Sequence, residues 1–353
     1  MNLRGLFLGL FISILSTLTF LLVCEFFLRS ANFVSTPSRM QPVDPTSPIS
    51  HFEPNREFIY AKGWNSSIYA ENKVNDYGFN TIINFKNLPK KNRIALIGDS
   101  YIEAQHINKG KNVAEILNKK NINIFPIGIS GAPLSQYIAF YNFAKYNLNV
   151  EKFIFFIVSN DFYDSFLDVK GAPGHHYFDY SNNMELVLVN YKPSLFKILI
   201  RESALANYFY RQLEFKGIYR KIFNNNDKRY QKNTYDDIDK KKEKKSKEAI
   251  DAFINYVSIN SNSNDILFVL DADRISIYDS LKINEEKLQS KLFKYFQEYA
   301  NLKGIKVLNL NKYYIQDYEK NNKKFNFEND YHLNEYGHNF VAEILYKEYF
   351  NQN

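Results

Sequence analysis

The chain is nearly without cysteine. Cys24 is the single one among 353 residues, so no intramolecular disulfide can form, and cysteine usage leaves the redox compartment open. A concentrated basic face is also lacking. The 45 Lys and Arg against 38 Asp and Glu leave a net charge of +7, a mild excess that suits an anionic envelope polymer and speaks against nucleic acid as a partner. There is no internal repeat. His175 and His176 stand in a Gly/Pro loop with no Cys or carboxylate at ligand spacing, which argues against a metal there, and no cofactor is expected. What the chain does hold is 45% apolar and 17% aromatic residues. That is the composition of a folded protein, long enough for one large α/β domain with additions or for two domains.

One long apolar run stands out. No residue from Gly5 to Cys24 is charged, and the apolar character continues past Glu25 to Leu28. Roughly 20 apolar residues suffice to cross a bilayer. The run ends in "VCEFFLRSANF" without an A-x-A cleavage pattern, and Val23 before Cys24 fits a lipoprotein site poorly. Residues 1–34 therefore read as an uncleaved signal anchor, a single transmembrane helix. A head of four residues is more easily retained than moved, which favours the bulk of the chain outside the cytoplasm, in the periplasm or at the cell surface. Residues 35–56 hold five prolines and read as an extended linker. Residues 57–353 are expected to form the catalytic domain, with a prelude around "NDYGFN" and an insertion at about 165–262. Oligomeric state is not specified by any of these features.

From residue 93 strands and helices alternate. Arg93–Ile97, Asn123–Ile127, Lys152–Val158, "DILFVLD" (265–271) and "IKVLNLN" (305–311) are near-continuous apolar runs that suit a parallel sheet covered on both faces. Helical patterns fall at Val113–Lys119, Leu134–Tyr146, 193–213, Glu285–Leu302 and Glu335–Phe350. Five parallel strands with helical crossovers predict a doubly wound α/β sandwich. The charge run "DKKKEKKSKE" (239–248) reads as a solvated helix start or a loop.

In such sheets the site forms beyond the carboxyl ends of the strands. Strand one ends in Gly98-Asp99-Ser100, strand two in Gly128-Ile129-Ser130-Gly131 and strand three in Ser159-Asn160-Asp161, while Asp330-Tyr331-His332 precedes the last helix. Each residue type has a task in acyl transfer. Ser100 can attack a carbonyl if a base takes its proton. His332 can take it near neutral pH, and Asp330 can fix the imidazole tautomer. The N–H groups of Ser100 and Gly131 and the Asn160 amide can receive the developing oxyanion. Blander readings stand beside these. Asp99, Ser130 and Asp161 suit turns or caps, Gly131 suits any left-handed turn, His338 suits packing or capping, and Trp64 suits a packing anchor for the prelude.

"IALIGDSYIEA", "IFPIGISGAP", "FFIVSND" and "DYHLNEYGH", in this order, resemble the four blocks of the SGNH (GDSL-type) hydrolase superfamily. The resemblance implies a flavodoxin-like fold and puts the family's Ser, Gly, Asn and His on Ser100, Gly131, Asn160 and His332, with Asp330 as the triad acid. The prelude and the membrane anchor also look like membrane-attached bacterial members. Two departures accompany it: Val158 stands where the third block usually has Gly, and the acid stands two residues before His332, with Asn at 329. The function implied is a serine esterase or deacylase acting on an ester or acylated-glycan substrate. An O-acetyltransferase acting on an envelope polysaccharide would use the same residues, and a non-catalytic carbohydrate-binding module is the alternative from another class.

Overall fold

The computed structural model describes residues 3–213, 239–328 and 330–351. The chain divides into two compact units, whose boundaries do not follow residues 34 and 56.

The smaller unit gathers residues 1–37, 58–71 and 193–227. Its first element is α1 (Leu3–Ser30), a helix of 28 residues with no buried residue, long and apolar enough to cross a membrane by length and composition. Strands β1 (Glu57–Lys62) and β2 (Ile68–Lys73) form a two-stranded sheet. Trp64 lies in the turn between them and is 77% exposed, so it does not anchor the prelude; the tight turn Gly63–Ser66 leaves its ring outside any core. The amphipathic stretch at 193–213 is not one helix. It breaks into α6 (Leu195–Ile200) and α7 (Ala204–Asn207) because Ser203 caps a new start, accepting from Ala206 N at 3.1 Å.

The larger unit (38–57, 72–192, 228–353) is built on five parallel strands: β3 (Ile94–Gly98), β4 (Ile124–Gly128), β5 (Lys152–Ile157), β8 (Ile266–Leu270) and β9 (Lys306–Asn309). Their order in the sheet is β4-β3-β5-β8-β9, the 2-1-3-4-5 order of flavodoxin-like folds. All of β3, β4 and β8 is buried, as the unbroken apolar runs require of strands covered on both faces. Helices α2 (Ser100–Glu103), α3 (Val113–Lys119), α4 (Leu134–Asn142), α5 (Asn160–Tyr163), α8 (Lys240–Asn260), α9 (Arg274–Ser280), α10 (Leu288–Leu302), α11 (Asn311–Asn321) and α12 (Glu335–Leu345) flank it. Two short hairpins complete the unit, β6 (His176–Asp179) with β7 (Glu185–Leu188), and β10 (Asn326–Phe327) with β11 (Asp330–Leu333).

One expectation is corrected here, and one of two open readings is decided: the charge run at 239–248 is a helix start. Residues 35–56 are not a free linker. Val43 and Ser50 have no exposed surface, and Val43 exchanges backbone hydrogen bonds of 2.9 and 2.8 Å with Tyr191. The extended backbone satisfies its polar groups by pairing in this way. The charge run at 239–248 begins a long crossover helix. Asp239 caps α8, Lys245 is buried against Asp168 at 2.5 Å, and Ala249, Ile250, Phe253, Ile254 and Val257 form its inner face. The polar residues before it, 224–238, lie outside the described residues.

Phe253 has no exposed surface, with its ring 5.2 Å from Phe155 and 5.7 Å from Phe268. Phe253→Ala is expected to lower the unfolding free energy by about 3–5 kcal/mol, measured by urea unfolding of the detergent-solubilised chain. A loss no larger than that of a surface substitution would mean that α8 does not close the core.

Candidate active site

Strands β3 and β4 end level with each other, Gly98 opposite Gly128. The chain then turns at Asp99, whose side chain accepts from Tyr101 N at 2.9 Å and caps α2. Ser100 is thereby the first residue of a helix, where a backbone N–H has no acceptor within the helix. The turn fits only against a glycine. A Cβ on Gly128 would lie 2.7 Å from Glu103 N and 2.9 Å from Asp99 O. The prelude holds α2 from its other end, since Asn80 donates to Glu103 O at 2.8 Å and Asn72 to Gln105 O at 2.9 Å.

His332 arrives on β11. Its Nε2 lies 2.8 Å from Ser100 Oγ, and its Nδ1 lies 2.5 Å from Asp330 Oδ1. Asp330 Oδ1 also accepts from His332 N at 3.1 Å. A carboxylate is acceptor-only when ionised, so Nδ1 carries the proton and Nε2 is left as an acceptor facing the hydroxyl. Asp330 is buried, whereas the His332 side chain is 25% exposed, so the dyad is rigid on one side and accessible on the other. A second acceptor, Asp99 Oδ2, lies 3.3 Å from Ser100 Oγ; burial pushes the Asp99 carboxyl above its usual range.

Three supporting groups are not identifiable from the sequence motifs. The buried Arg274 donates to Tyr331 O at 2.7 Å, to Tyr101 Oη at 2.6 Å and to Asp271 Oδ2 at 3.1 Å, and Tyr101 Oη donates to Tyr331 O at 3.1 Å. The residue after Ser100 is thus tied to the residue between Asp330 and His332. His106 stacks on His332 with ring centroids 4.0 Å apart and stands 3.8 Å from Asp330 Oδ2. Glu103, fully buried, accepts from Ser130 N at 2.5 Å and from Ser130 Oγ and Gln105. Ser130 is therefore held by a carboxylate, not merely a turn residue. A single Glu, His or Arg outside a motif carries no sequence signal of such a contact.

Ser100, Gly131 and Asn160 follow three neighbouring strands of the sheet. Gly131 has φ +78°, and its carbonyl accepts from Lys170 Nζ at 3.0 Å. Asn160 opens α5, and its buried Oδ1 has no hydrogen-bond partner among the described residues. Val158 is buried, with its N–H donating to Asp161 Oδ2 at 3.1 Å; Tyr137 Oη donates to the same oxygen at 2.8 Å. Asp161 is in this way a structural turn residue, its carboxyl pushed well up by burial. His338 is buried in α12, and desolvation lowers its pKa to about 3. His175 and His176 are buried too, lowered by desolvation to about 3 and about 4. His176 bonds Gln136 and opens β6. The one group of possible metal ligands among the described residues is His106, Asp330 and His332, which is the site's own acid–base cluster.

The strand order is the flavodoxin-like one that the motif resemblance implies. No protein-family model matches the chain, and no curated protein does. Similar solved structures include LAE5, an alpha/beta hydrolase enzyme from the metagenome of Lake Arreo, at 10% identity over 74% of this chain and 97% of that one, TM-score 0.40. The acetyl xylan esterase AlAXEase is similar at 14% identity over 73% and 99%, TM-score 0.35. The lipase/acylhydrolase from Enterococcus faecalis is similar at 11% over 72% and 94%, TM-score 0.38. With every one of these scores below 0.5, the chemistry of the site rests on its own geometry.

Burial raises the Glu103 carboxyl to about 7. The unfolded chain sheds this proton near its ordinary value, well before the folded chain does. The contribution of Glu103 to stability is therefore full below about pH 4.5 and is lost as pH rises through about 7. Glu103→Gln is expected to flatten the fall in melting temperature across that interval. An unchanged slope would place the titration elsewhere.

Proposed function

We propose that the chain is a serine esterase or deacylase that works through an acyl-enzyme. The observation that carries this reading is the unbroken contact Ser100–His332–Asp330, 2.8 Å and 2.5 Å long. Ser100 Oγ attacks the ester carbonyl while His332 Nε2 takes its proton. Asp330 steadies the imidazolium. The oxyanion is received by the N–H groups of Ser100 and Gly131 and by the Asn160 amide N–H. Collapse of the tetrahedral intermediate breaks the C–O bond, His332 returns the proton to the departing alcohol, and Ser100 is left acylated. Water, deprotonated by the same imidazole, then releases the acid.

The substrate class follows from the setting. Helix α1 would hold the chain in a membrane with the larger unit outside the cytoplasm, and an O-acylated envelope glycan is the proposed ester substrate. Transfer of the acyl group to a sugar hydroxyl would draw on the same residues, and no described feature favours it over hydrolysis.

Ser100→Ala is expected to abolish hydrolysis of p-nitrophenyl acetate, a loss of about 10⁴-fold or more, and to abolish labelling by a fluorophosphonate that otherwise maps to Ser100. Activity retained in that variant would remove the nucleophile. Asn160→Ala is expected to lower kcat by about 10²–10³-fold with KM little changed, as for loss of one oxyanion donor. Steady-state kinetics would expose a role confined to binding as a rise in KM instead.

A further inference from the structure

Helix α6 presents an apolar face that the described residues leave largely exposed. Leu195, Phe196 and Leu199 are 81%, 71% and 73% exposed, and at about 100° per residue they fall within an arc of about 100°. Ile198 and Ile200 are partly covered, and Lys197 stands on the far side of the apolar arc. Such a face on a water-soluble surface is costly, and so many large side chains on six residues call for an occupant.

The neighbouring elements of the smaller unit identify the occupant. Within the smaller unit this helix adjoins the end of α1. Leu18, Leu21 and Leu22 of α1 line one groove of about 390 Å³ together with Leu199 and Leu205. Polar contacts fix the junction. Glu25, the first charged residue after the apolar run, accepts from Ser203 Oγ at 2.8 Å, Ala204 N at 3.0 Å and Leu205 N at 2.9 Å, and Arg29 donates to Glu202 O at 2.8 Å. The start of α7 is thus bound to the level at which α1 leaves its apolar run, which is where a membrane surface would lie. Arg29 pairs with Glu25 at 2.6 Å, and Lys197 lies on the polar side of α6. The same unit exposes Trp64, a residue type enriched at membrane interfaces.

We infer that α6 is a second membrane contact, an interfacial helix whose Leu195, Phe196 and Leu199 enter the boundary between headgroups and acyl chains of the bilayer that α1 crosses. This rests on α1 spanning the membrane. Insertion of three large apolar side chains beside a spanning helix would fix the orientation of the smaller unit, which a single helix leaves free to rotate.

The test uses the full chain with Cys24→Ser and one new cysteine at a time, Leu195→Cys, Leu199→Cys or Leu15→Cys, each carrying a fluorescent NBD label. The protein is reconstituted in vesicles of phosphatidylcholine with a minority of phosphatidylglycerol, and quenching is compared for aqueous iodide, for lipids with a nitroxide near the headgroup and for lipids with one deep in the acyl chain. At 195 and 199 shallow nitroxides should quench roughly twofold more than deep ones, with protection from iodide, while at 15 the deep nitroxide should dominate. Iodide quenching at 195 and 199 with deep quenching at 15 would overturn the inference and leave α1 in the membrane. Shielding of 195 and 199 from all three quenchers would overturn it in favour of a second copy of the chain. Iodide quenching at 15 would refute the spanning reading of α1 and this inference with it.

Discussion

The site depends on one constraint: the His332 ring has to stand between a hydroxyl and a carboxylate that come from opposite ends of the larger unit. Ser100 follows the first strand of the sheet, and Asp330 and His332 come after the last. No local interaction brings them together. The bond that does so is a buried one, in which Arg274 holds the Tyr331 carbonyl and the Tyr101 hydroxyl at once. A buried guanidinium is tolerable only when paired and hydrogen-bonded, and Asp271 supplies the charge. The fold therefore stakes a desolvated ion pair on the register between two loops.

A second layer of buried acids surrounds the nucleophile. Asp99, Glu103 and Asp161 are each fully enclosed, and burial raises all three carboxyls. Each is bound to backbone N–H groups of a loop that follows a strand: Tyr101, Ser130 and Val158 respectively. Three loops with little regular structure are fixed by acceptors placed behind them. This explains how a cleft lined by turns can keep a defined shape without disulfide support.

The smaller unit applies the same device at a different place. There Glu25 gathers the N–H groups that open α7, so that a helix set apart in the sequence by some 180 positions is bonded to the end of the apolar run.

The sheet, its five strands and the residues at their ends were legible in the sequence, because burial on both faces forces unbroken apolar runs and because a turn from strand to helix admits few residue types. The apolar run of α1 was legible from length alone. What the sequence could not decide was every contact made by an isolated polar residue. Arg274 and His106 sit in no motif, Glu103 has no assigned part in the block that contains it, and the charged start of α8 looks like any solvated segment until its second half is seen against the sheet. The prolines of 35–56 likewise announced extended backbone and not the strand-like partner it would find at Tyr191. Local patterns are written by short-range sterics and by burial, which repeat along the chain. Pairings across a hundred residues or more depend on where the chain returns, and only the tertiary structure specifies that.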